Sequence, residues 1–151
     1  MAQTVRFRLD PDAVAALRAL RARLPRHLAA ADEPGVTVAG AAAVPPAARD
    51  ALAAEVRLLA LPSIWLATLG TVAGRPDQLV LAAVVDSELL AVHAAVHDAL
   101  AGRARAPVAA YFPGAWLPHC VIATERPAEA FAALHPVEPV RARVVGVEVS
   151  G

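Results

Sequence analysis

Trp116-Leu117-Pro118-His119-Cys120-Val121-Ile122-Ala123 is an apolar run broken by one proline and one histidine, and it reads as a strand. Successive strand side chains point to opposite faces, so His119 and Val121 look one way and Cys120 and Ile122 the other. A related run, Pro34-Gly35-Val36-Thr37-Val38, stands in the first half of the chain and puts Gly35 and Thr37 on one face. Any chemistry this chain carries is expected on these two strands.

Working outward, Val5-Arg6-Phe7-Arg8-Leu9 alternates like a half-buried strand, and Asp10-Pro11 opens a helix with Val14, Leu17, Leu20 and Leu24 at helical spacing. Pro25 ends it. After Asp32-Glu33-Pro34-Gly35 comes the short strand Val36-Thr37-Val38-Ala39, then Pro45-Pro46 and a helix with Ala48, Leu52, Val56 and Leu59 on one face, closed by Pro62. Ile64 to Leu69 reads as a strand and Gly70 to Asp77 as a loop. The second half repeats the order: strand Leu79 to Val85, a helix capped by Asp86 or Ser87 with Leu89, Val92, Val96 and Leu100 as its stripe, and a stop at Gly102. A connection rich in proline and glycine then leads to the strand at 116–123, a short helix from Pro127 to Leu134 and a last strand within Val140 to Val149. The pattern is β-α-β-α-β twice, which predicts an α/β or α+β domain of two similar lobes with a cleft between them.

The 151 residues favour one domain with a core of its own, and 58% hydrophobic against 19% charged residues excludes a disordered chain. Fourteen Arg against fourteen Asp and Glu leave a formal charge of zero, so no global basic field exists to drive binding to long nucleic acid. Lysine is absent and alanine dominates, a bias expected of a GC-rich bacterial genome. One cysteine, Cys120, forms no intrachain disulfide. The apolar run Leu79 to Val85 is far short of the ~18 residues of a membrane-spanning helix. With no signal-peptide stretch near Met1, the expected location is cytoplasmic.

The two strand motifs resemble the paired Pro-His-x-Thr-apolar signatures of the 2H phosphoesterase superfamily, and specifically the 2'-5' RNA ligase, or RNA 2',3'-cyclic phosphodiesterase, family. Its second motif is commonly Trp-x-Pro-His-x-Thr-Leu-Ala, close to residues 116–123. The element order, the motif separation and a Leu-x-x-His helix at Leu90 to His93 extend the resemblance over the whole chain. It implies an α+β, bilobal LigT-like fold: one domain over 1–151 whose pseudo-symmetric lobes, about 1–77 and 78–151, flank a central cleft. It further implies a partner that is an RNA end or nucleotide with a cyclic phosphate or phosphodiester, no metal or other cofactor, and no membrane. In such a pair of motifs one histidine deprotonates the attacking group, the other protonates the leaving oxygen, and the hydroxyls hold the phosphate.

The chain departs from the pattern twice: Gly35 stands where the family has His, and Val121 where it has Thr. Carried over residue by residue, His119 keeps an acid/base role and Thr37 a phosphate-contacting role, while Gly35 and Val121 can serve neither. Each positioned acid or base is typically worth ~10²- to 10⁴-fold in rate. The expectation therefore divides between a phosphodiesterase impaired by these losses and an inactive or repurposed member that binds a nucleotide, RNA end or other small ligand in the cleft.

Around the motifs, Arg75 in the Gly74-Arg75-Pro76 loop, Arg103, Arg105, Arg141 and Arg143 are candidates for gripping phosphate through planar donor forks. Tyr111, Phe112 and Trp116 are candidates for stacking a base, core packing being the alternative for at least one. Arg75, Tyr111 and Trp116 form the expected substrate-binding set. Cys120 adjoins His119, but neighbouring strand residues face apart, so its thiol is expected in the core. His93 and His97 lie four apart on a helix without the Glu of His-Glu-x-x-His or a third ligand, and read as surface or boundary residues beside the apolar stripe. His27 and His135 carry no spacing signal, though a loop could bring either toward the cleft in place of the missing histidine. No phosphate-cradling glycine loop, zinc cysteines or Gly-x-Ser-x-Gly elbow occurs.

Overall fold

The computed structural model describes residues 2–151. Asp10 ends the first strand, β1 (Gln3–Leu9), and starts the first helix, α1 (Pro11–Ala22): its carboxylate accepts the Ala13 N–H at 3.3 Å, and Pro11 takes the first helical position, where no donor is needed. The same carboxylate accepts the Arg143 N–H at 2.7 Å and so ties the helix start to the last strand. That bond to Arg143, ahead of the others, holds the Asp10 pKa below its ordinary value.

The chain continues through β2 (Gly35–Ala43), α2 (Pro46–Leu58), β3 (Ser63–Val72), β4 (Arg75–Val84), α3 (Ser87–Leu100), β5 (Arg105–Pro107), a 3-10 turn (Ala109–Tyr111), β6 (His119–Ala123), α4 (Pro127–Leu134) and β7 (Val140–Ser150). Helices with a wholly antiparallel sheet make this an α+β arrangement. The strands run β5-β2-β1-β7-β3-β4-β6. β7 holds the order together, since Val140 to Arg143 pair with β3 while Val144 to Ser150 pair with β1. Strands from residues 1–77 and 78–151 thus mix in one sheet, and position 77 falls inside β4. α1 packs on β7 and β6, α4 on β4 and β3, and α3 on β2 with α2 beside it. The core joins Phe7, Leu17, Ile64, Leu66, Leu81, Leu89 and Ile122, all buried.

Three local expectations change. Residues 70–77, read as a loop, are mostly hairpin: Val72 pairs with Arg75 and Gly70 with Val80, leaving Ala73 and Gly74 as the turn. Gly74, at φ +85°, supplies the left-handed residue that such a tight turn requires, and Pro76 sits in the strand it opens. The strand expected from Trp116 starts only at His119, because Pro118 has no N–H to give a ladder; its carbonyl still accepts the Ala83 N–H at 3.0 Å. Between α3 and β6 lies β5, which pairs with β2 only at Ala41 and Ala43. Three residues ending in proline carry no periodicity from which such a strand can be read.

One irregularity in β2 decides which of its residues share a face. Val5 pairs with Ala39, but its neighbour Arg6 pairs with Thr37, so β2 carries one extra residue at Val38. Opposed residues lie on the same side of the sheet, and the bulge therefore puts Thr37 and Gly40, three apart, on the face of Thr4 and Arg6.

Candidate functional site

His119 opens β6 opposite Ala82 and is half-buried. Its Nδ1 lies 2.6 Å from the Leu117 carbonyl. A carbonyl only accepts, so Nδ1 carries the proton and Nε2 is left with a free lone pair. Burial lowers the His119 pKa and the Arg75 guanidinium adds to the effect, while the Leu117 bond opposes both. The ring is neutral at pH 7.

Beside it lies a cavity of about 290 Å³ whose wall includes Arg75, Tyr111, Trp116 and His119. The β3–β4 turn brings Arg75, the 3-10 turn brings Tyr111, and the arch before β6 brings Trp116 and His119. The turn places Tyr111 over β2, where its ring would lie 3.2 Å from a Cβ at Gly40; glycine there lets the aromatic ring settle on the strand. Four residues singled out in the sequence thus meet around one space. Thr37 is not part of that wall. Its carbonyl instead accepts the Trp116 indole N–H at 2.9 Å, so its backbone orients one wall residue.

Trp116 is buried and stacks face to face on His93, ring centroids 3.9 Å apart, with Phe7 edge-on at 6.4 Å. His93 is therefore not the boundary residue that its place beside the stripe suggested. It is buried, and its Nε2 lies 3.1 Å from the Val38 carbonyl, which His97 Nε2 also reaches at 2.8 Å. Both rings give their Nε2 protons to the residue at the β2 bulge. Burial, with the neighbouring His97, lowers the His93 pKa to about 4. Its task is structural: it satisfies an irregular backbone and backs the Trp116 ring.

Gly35 occupies a different place. A Cβ at this position would lie 2.9 Å from Arg6 Nη2 and 3.1 Å from the Phe7 carbonyl, so the Arg6 guanidinium fills the room a side chain would take. Arg6 is held there by Asp32, Nη1 to Oδ2 at 3.3 Å, and by the Glu33 carbonyl at 3.1 Å. Buried Arg21 shares Asp32 at 3.1 Å and donates to the Val121 carbonyl at 2.7 Å. Gly35 and Val121 thus adjoin one arginine–aspartate network, Gly35 through space and Val121 through its backbone. Sequence reading missed this network, although Arg6 at an alternating strand position and the Asp32-Glu33 pair before β2 were its visible parts. Cys120 lies in the core and burial raises its thiol pKa, so it is no nucleophile. His27 and His135 are exposed and do not line the His119 cavity; His135 stacks on Phe131 at 4.9 Å.

Among the described residues no helix is long and apolar enough to cross a membrane. No protein-family model and no curated protein sequence matches this chain. Solved structures do match, among them the crystal structure of the MHV ns2 PDE domain, with a TM-score of 0.70 at 15% sequence identity over 98% of this chain and 96% of that one. The chain shares the fold of that domain along nearly its whole length.

Proposed function

We propose that the chain binds an RNA or nucleotide end bearing a phosphodiester in the cavity beside His119, and slowly hydrolyses a 2',3'-cyclic phosphate there. The observation that carries this reading is the meeting of His119, Arg75, Tyr111 and Trp116 around one cavity, in a chain folded like a PDE domain. Neutral His119 is the acid/base group: Nε2 takes a proton from water as the water oxygen bonds to phosphorus. The bond from phosphorus to one ribose oxygen then breaks, and that oxygen takes its proton from solvent. Arg75 faces the negative charge that builds on the phosphoryl oxygens. The Trp116 edge and the Tyr111 ring border the space for ribose and base. Without a second imidazole the leaving oxygen gets no positioned proton, which lowers the rate by ~10²- to 10⁴-fold.

A second reading, binding of the same end without turnover, is favoured by one observation: the Arg6 guanidinium fills the space beside Gly35 where a second motif histidine would stand. Hydrolysis of an RNA oligonucleotide ending in a 2',3'-cyclic phosphate, compared between wild type and His119→Ala at matched concentration, separates the two. Slow turnover that vanishes in the variant is the expected result. Binding of the cyclic end that weakens in His119→Ala, with no turnover in either protein, selects the second reading. Absence of both binding and turnover overturns the two together.

A further inference from the structure

In the half of the sheet that carries His119, one face exposes Ser63, Trp65, Thr68, Val84, Arg141 and Arg143. Register places its residues in rows: Arg143 beside Ser63, then Arg141, Trp65 and Val84, then Thr68, Ala82 and His119. The opposite face buries Ile64, Leu66, Leu81 and Ala142 in the core. On the first face Trp65 is 40% exposed, an unusual place for a large aromatic ring, and Arg141 Cζ lies 4.2 Å from its centroid. These rows hold no carboxylate. Among the described residues neither Arg141 nor Arg143 forms an ion pair, while the Asp10 carboxylate accepts the Arg143 backbone N–H and lies near enough to feel its charge.

We propose that this face is a track for the single-stranded RNA upstream of the end held at His119, with Trp65 and Arg141 stacking a base and Arg141 and Arg143 neutralising phosphates. The inference rests on the function proposed above. An exposed ring backed by unpaired guanidinium groups, with no acid in its rows, matches a chain that offers aromatic faces and negative charge in alternation. Span fits as well. Two strand spacings of ~4.8 Å and one two-residue rise of ~6.7 Å put Trp65 roughly 12 Å from His119, a separation that a short oligonucleotide bridges. The formal charge of zero confines the attraction to this patch rather than to the whole surface.

The test is binding by fluorescence anisotropy of a 5'-labelled tetranucleotide ending in either a 2',3'-cyclic phosphate or a 3'-hydroxyl, with a 2',3'-cyclic mononucleotide as competitor. Wild type is expected to bind the cyclic tetranucleotide about tenfold or more tighter than the mononucleotide, the effect of one stacked base. Trp65→Ala removes that gain and leaves mononucleotide binding unchanged, while Trp65→Phe keeps most of it. Replacing Arg141 and Arg143 together by Ala lowers the slope of log K against log salt by about 1.4, as for two single-strand phosphates. Equal affinity for both lengths, or insensitivity to Trp65→Ala, overturns the track. So does a Trp65-dependent dimer in sedimentation without any effect on RNA. The two readings fail differently. If the tetranucleotide binds regardless of its end and His119→Ala changes nothing, while Trp65→Ala still weakens it, the track stands and the His119 assignment falls. If both lengths bind alike and both weaken in His119→Ala, the reverse holds.

Discussion

At Gly35 the strand has no room for a side chain while Arg6 keeps its place, because the guanidinium lies where a Cβ would go. Gly35→His is therefore expected to destabilise the protein by ~1–3 kcal/mol, the usual range for overpacking. Adding Arg6→Ala should recover part of that loss, a coupling that denaturant melts of the two single variants and the double variant measure directly. Thr37→Ala should change turnover less than threefold and leave the fold intact, since its bond to Trp116 uses the backbone carbonyl. A tenfold loss would give its hydroxyl the phosphate contact that the motif implies. If His119 acts as the neutral base proposed above, the acid limb of kcat/KM should lie below the ordinary histidine value, because burial lowers the pKa of its ring. Arg75→Ala removes a positive neighbour and should move this acid limb to higher pH, which a pH profile of the two proteins checks.

At the scale of the element, α3 depends on neutral histidine. His93 falls from 6.5 to about 4 on folding, so the unfolded chain binds the extra proton between those values and stability rises with pH across that window. Its contribution is complete above the unfolded value and is lost as pH falls through about 4. At ~1.36 kcal/mol per unit the loss amounts to ~3 kcal/mol, readable as a falling denaturant midpoint between pH 7 and pH 4. The apolar stripe of Leu89, Val92, Val96 and Leu100 was legible because burial repeats every three to four residues. The Asp86 cap was legible as well: its carboxylate accepts the Leu89 N–H at 2.8 Å. The burial of His93 was not, because helical period gives an angle around the axis and not what lies against it; the bulge of β2 and the ring of Trp116, both distant in sequence, decided the matter.

At the scale of the molecule, the last strand is the centre of the sheet. β7 is flanked by β1 and β3, so truncation after Pro139 should abolish cooperative unfolding rather than trim an edge. Amide exchange should be slowest in β1 and β7 and faster in β5, whose three residues pair at only two positions. Circular dichroism of the truncated chain and exchange of the intact one test the two statements.

Alternation and helical period along the chain determined most of the strands and helices, the hairpin at 70–77 and β5 excepted, and where proline and aspartate begin and end them. Those signals are local: a side chain's preference and the period of burial act over a few residues. Sheet order, the bulge that turns Thr37 and Gly40 to one face, the arginine in the space beside Gly35, and the gathering of Arg75, Tyr111 and Trp116 around His119 were decided only in the tertiary structure. They depend on which strands lie side by side, and that is set by packing between residues as far apart as Arg6 and Glu148, a relation no local pattern encodes.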